Sequence, residues 1–181
     1  MAFFKNRKVA AILMVVLILG SALGGAKRSL EKLRQEAEQV FYQGADGDGL
    51  GIQNDLDERA KLAYNLVTVA KRCLPEDRQE ITQTLAARDA LLNAKDIHEK
   101  YRANLELTEA TEALYQAMEG LSADDEKFRI RLHTDLQSRN DTISHDPYNR
   151  TAEEFNRKLD AFPANLLGGL TGVKDAPLFR S

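Results

Sequence analysis

Asp46-x-Asp48-x-x-Gly51, with Asn54 and Asp57 downstream, places plausible residue types at positions one, three, six, nine and twelve of a calcium loop. Leu50 stands at position five and supplies no side-chain oxygen, and the closing bidentate glutamate is an aspartate. The stretch therefore reads as an acidic interhelix loop. His98, His133 and His145 are the histidines. His98-Glu99 has no second histidine four residues on, so the zinc-protease helix pattern is missing. His133 and His145 stand twelve apart, more than three helical turns, and cannot share a metal as a local pair. A di-iron bundle needs Glu-x-x-His, and a hydrolase elbow needs Gly-x-Ser-x-Gly; the chain has neither. Glu76-Asp77 and Asp124-Asp125-Glu126 fall at expected helix starts, where negative charge complements the helix dipole. Asn140-Asp-Thr and Asn149-Arg-Thr match glycosylation sequons but lie in expected helix. No catalytic residue, cofactor or metal site is expected.

The 181 residues amount to one domain, with room for an appendage. Hydrophobic residues at 43% can build a core, and 4 prolines with 11 glycines argue against wholesale disorder. A net charge of −3 gives no basic surface for nucleic acid. Cys73 is the only cysteine, which excludes an intramolecular disulfide and a cysteine-based zinc cluster.

Lys5, Arg7 and Lys8 precede an uncharged run from Val9 to Ala26. Eighteen helical residues span about 27 Å, close to the hydrocarbon thickness of a bilayer. A cleaved signal peptide is the competing reading, with Gly24-Gly25-Ala26 as small residues for a peptidase. An uncleaved anchor is favoured because helical sequence resumes at Lys27. The run is not followed by a cysteine, which excludes lipoprotein attachment. Basic residues flank both ends, and the short basic leader favours N-inside, placing the remainder outside the cytoplasm.

The rest reads as helix. Leu30, Leu33, Ala37, Val40 and Phe41 form one stripe, in a helix that can continue directly from the anchor. Four glycines between Gly44 and Gly51 make a loop. Helix resumes near Ile52 or Asn54, with Asn54 or Asp55 available as cap, and Ile52, Leu56, Ala60, Ala63, Val67, Ala70 and Leu74 repeat at three and four. Glu76 to Glu119 contains neither Gly nor Pro; its stripe drifts in phase near Asp96, which fits one long helix or two with a bend. Ser122, with Asp125 three residues on, resembles a capping box opening a helix that Pro147 kinks or breaks. Tyr148-Asn149, Phe155-Asn156 and Phe162-Pro163 repeat every seven residues. The spacing places Tyr148, Phe155 and Phe162 on one face, expected to bury against the helix from about Asn54 to Leu74. Asn149 and Asn156 are expected to bond across helices and fix register. The resulting divisions are a basic flank (1–8), an anchor (9–26), a bundle of three or four long antiparallel helices (27–163) and an irregular tail (164–181). The fold class is all-α.

The same heptad run, followed by Asn165-Leu166 and Gly172-Val173-Lys174, resembles the closing signature of LemA-family proteins. Leu62-Ala63-Tyr64-Asn65-Leu66-Val67 is similar to that family's Leu-Ile-Pro-Asn-Leu-Val segment. Tyr64 stands in place of the usual Pro, Phe155 in place of the second Tyr, and Pro147 interrupts a helix that is normally continuous, so the chain resembles a divergent member. The resemblance implies a membrane-anchored antiparallel bundle in a bacterium and no settled enzymatic activity. Three functions follow as expectations. The first is a tethered bundle that is not an enzyme and binds an unidentified membrane or envelope protein, held in the bilayer by residues 9–26. The second is a ligand sensor signalling through a membrane partner. The third is a hydrolase with an unrecognised site.

Overall fold

A computed structural model describes residues 7–180, and its regular structure is entirely helical among them. The helices are α1 (Arg7–Gln43), α2 (Ile52–Ala70), α3 (Gln79–Asn93), α4 (Ile97–Ala117), α5 (Ala123–His145), α6 (Tyr148–Asp160) and α7 (Ala164–Thr171). The basic residue Lys5 of the expected N-terminal flank lies outside the described residues. Contacts group the described residues into two units, 7–38 with 151–176 and 39–150 with 177–180.

α1 is unbroken for 37 residues and continues through Gly24 and Gly25. Its N-terminal half is apolar and long enough to cross a membrane. Every side chain from Ile12 to Leu19 is exposed. A contiguous apolar surface of this size is costly in water, which is consistent with membrane anchoring. Past the apolar stretch the helix surface turns ionic, with pairs Lys27–Glu31, Lys32–Glu36 and Arg34–Glu38 each one turn apart.

The larger unit is built on α2, α3, α4 and α5. Paired residues define its topology. Asp55 meets Arg139 while Arg72 meets Asp125, so α2 and α5 run antiparallel. Asn104 meets Asn140 while Glu112 meets His133, so α4 and α5 are antiparallel as well. Leu66, Val67, Val69, Ala70, Ile81, Leu114, Met118 and Leu136 form the core. The phase drift near Asp96 is a full break. Asp96 caps α4 by accepting from the Glu99 N–H, and the Glu99 carboxylate accepts from the Lys95 N–H. Ser122 caps α5 through the Asp125 N–H as its spacing predicts. The carboxyl of Asp125 is held below its ordinary range, first by the Ser122 hydroxyl and then by Arg72.

Two expectations are corrected, and the alternative left open at Pro147 is decided. The N-cap of α2 is Gly51, and Asp55 instead reaches Arg139 at 2.8 Å. Pro147 ends α5 outright, and α6 starts at Tyr148 directly after it. Residues 164–171 of the expected irregular tail are α7, closed by Gly172 in the left-handed region at φ 73°. Gly168 and Gly169 weaken the helix signal of this segment. A Cβ at Gly168 would lie 2.8 Å from Leu159 Cδ1, the far end of a flexible side chain, so the glycine brings α7 close to Leu159. Residues 173–180 are non-helical, as expected.

Candidate functional site

α6 carries Tyr148, Asn149, Phe155 and Asn156 of the heptad residues, and each unit holds part of them. In the larger unit Tyr148 is fully buried, its ring edge-on to Phe41 at 5.2 Å. Its hydroxyl donates to the Pro177 carbonyl. Asn149 brackets one residue of the C-terminal segment. Its Nδ2 donates to the Phe179 carbonyl at 3.2 Å, and its Oδ1 accepts from the Phe179 N–H at 2.8 Å. In the smaller unit Asn156 does the same to Ala176, donating to its carbonyl at 3.0 Å and accepting from its N–H at 2.7 Å. A primary amide side chain is a donor and an acceptor side by side, so it pairs with the N–H and C=O of one residue as a neighbouring β-strand would. The asparagines thus bond to the main chain of the C-terminal segment and not to another helix, which corrects the expected role.

The heptad face is also corrected. Phe155 is 7% exposed and shares an apolar cleft with Leu30, Leu33 and Ala37 of α1. The helix it was expected to meet, α2, packs on α3, α4 and α5. Phe162 is 82% exposed. α6 stops at Asp160, before Pro163, so the helical phase that would carry Phe162 onto the buried face is lost. Pro163 lies in the turn and stands at the N-cap of α7. Of the six heptad residues, Tyr148 with Asn149 and Phe155 with Asn156 are therefore engaged on the expected face, Phe162 is not, and the Pro163 carbonyl accepts from the Leu167 N–H at the start of α7. Replacing Asn156 by Ala would orphan both peptide groups of Ala176, at a cost of about 1–3 kcal/mol. Hydrogen exchange should report this as roughly tenfold or greater loss of protection at the Ala176 amide.

A second constellation was not foreseen. Arg59 of α2 is 1% exposed. Its Nη2 donates to Thr108 Oγ1 at 2.7 Å, while Nε and Nη1 have no hydrogen-bond partner. No carboxylate among the described residues lies within ion-pair reach of it; the nearby Asp55 is committed to Arg139. Burial lowers the Arg59 pKa to about 10, so the guanidinium remains charged at neutral pH. Arg59 lines a cleft of about 440 Å³ together with Thr108, Glu112, His133, Gln137 and Asn140. Within it Glu112 meets His133 at 2.6 Å, and the His133 ring stacks on Tyr115 at 3.9 Å. The Glu112 carboxyl is held below its ordinary range by Gln116 first and His133 second. The sequence signal was available: Arg59 occupies the stripe of Ile52, Leu56, Ala60 and Ala63, where a charge has no reason to stand in a plain core.

These features define an all-helical protein with one helix apolar enough to span a membrane, and a helical bundle that presents no recognised reactive constellation among the described residues. The chain belongs to the LemA family: the model of that family matches residues 50–181, which takes in the bundle, α6 and the C-terminal segment. A search of curated proteins finds no match.

Proposed function

We propose that this chain is a single-pass bacterial membrane protein that catalyses no reaction and binds another membrane or envelope protein, with its helical units on the extracytoplasmic side. Membership of the LemA family and the exposed apolar half of α1 support the membrane address. The observation that carries the binding role lies in the smaller unit. Leu166 and Leu170 stand one turn apart on α7, and Phe162 precedes them in the turn; all three are exposed. Their unit also contains the apolar half of α1, so this surface suits a partner that is itself anchored in the membrane.

The test places a photo-reactive residue at position 162 of the full-length protein in native membranes. A discrete cross-linked protein is expected, lost when Leu166 and Leu170 are both changed to Ser. Labelling of lipid alone, or a cross-link indifferent to those changes, would overturn the reading. Extraction of the protein by carbonate washing would overturn the membrane anchor itself.

A further inference from the structure

A buried guanidinium with no counter-charge is costly, because its lost hydration is not repaid. Structures keep such a group where something else completes it. Arg59 is the case here: it is almost fully buried, two of its nitrogens lack partners, and it forms part of the wall of a cleft of about 440 Å³. That volume suits a small metabolite-sized molecule. The cleft sits among α2, α4 and α5, so its walls come from three packed helices and not from a loop.

We propose that this cleft binds a small molecule through one oxyanion group, a carboxylate or a phosphate ester, seated against the Arg59 guanidinium. Guanidinium donors match such oxygens in geometry as well as charge. Asn140 and Gln137 add amide groups to the same wall. The Oδ1 of Asn140 accepts from Asn104 Nδ2 at 3.3 Å, and its amide nitrogen carries two N–H donors that an oxyanion could use. Glu112 and Asp141 also line the cleft. Glu112 is engaged by His133, and Asp141 stands 3.6 Å from His145. Two carboxylates on the wall select against a polyanion and for a ligand with a single negative group. None of this depends on a protein partner at α7.

The test melts the full-length protein in detergent micelles, with chloride replaced at constant ionic strength by about 50 mM acetate or inorganic phosphate. A ligand that binds only the folded state raises the melting temperature, by about 3 °C at tenfold excess over its dissociation constant. A rise in acetate assigns a carboxylate ligand, and a rise in phosphate assigns a phosphate. Thr108→Asp supplies the missing anion from within, since Thr108 Oγ1 is already 2.7 Å from Arg59 Nη2. That variant should melt above the parent in chloride and ignore both anions. Arg59→Met should likewise be indifferent to them. No response in the parent protein would mean that water alone fills the cleft and would overturn the proposal. An undiminished response in either variant would place anion binding elsewhere and overturn it equally.

Discussion

Phe41→Ala is expected to lower the unfolding free energy by about 3–5 kcal/mol, the range for deleting a buried phenyl ring that leaves a cavity. Phe41 has no exposed surface, and its ring meets three others: Tyr42 at 5.1 Å, Tyr148 at 5.2 Å and Phe179 at 5.6 Å. Tyr101 adds a further edge-on contact to Phe179 at 5.4 Å. Removing Phe41 therefore unpacks the point where the C-terminal segment joins the larger unit. Tyr148→Phe is the matched comparison. It keeps the ring and removes the hydroxyl that donates to the Pro177 carbonyl, a bond worth about 1 kcal/mol. Urea melts of the full-length protein in detergent should separate the two midpoints clearly. Coincident midpoints would mean that the aromatic cluster contributes little to the fold.

The second large effect is expected at Gly51. A Cβ there would lie 2.5 Å from the Phe41 carbonyl oxygen and 2.7 Å from both the Gly44 nitrogen and the Val40 carbonyl oxygen. All three are backbone atoms, so no side chain can rotate aside, and α2 would have to move away from the end of α1. Gly51→Ala should cost at least about 3 kcal/mol, the upper part of the overpacking range. The backbone of Gly51 is at φ −79°, which any residue adopts, so the requirement is for space alone. Gly49 is the opposite case, at φ 84° with nothing within 4 Å of its would-be Cβ. Gly49→Ala should cost only about 1–2 kcal/mol of left-handed strain. Equal losses in thermal melts would refute the close approach at Gly51.

The elements legible from sequence were those whose cause is local. The stripe of α2, seen from Ile52 to Ala70, and the Ser122 cap depend on residues within one or two turns and appear where the pattern placed them, while the phase drift near Asp96, which fitted one helix or two, is resolved as two. The failures have non-local causes. Phe162 continues a heptad on paper, but the helix has ended two residues earlier. α7 forms despite two glycines, with Leu159 lying close against Gly168, a contact that propensity cannot register. The partners of Asn149 and Asn156 are peptide groups 30 and 20 residues away, and peptide groups have no sequence signature. Arg59 was visible as a charge in an apolar stripe, yet its lack of a counter-ion emerges only when α4 and α5 are placed around it.

The asparagine clasps have an evolutionary corollary. Asn149 and Asn156 hold Phe179 and Ala176 by N–H and C=O alone, a grip that is indifferent to the identity of the residue gripped. Under it, substitutions in this segment are free to accumulate so long as they suit the space around them, with one prohibition. Proline has no N–H and would break either clasp at position 176 or 179. The proline that the segment does contain is at 177, where the carbonyl is the group engaged, by Tyr148. The permitted and forbidden places for proline along the tail are therefore written in the helix that faces it.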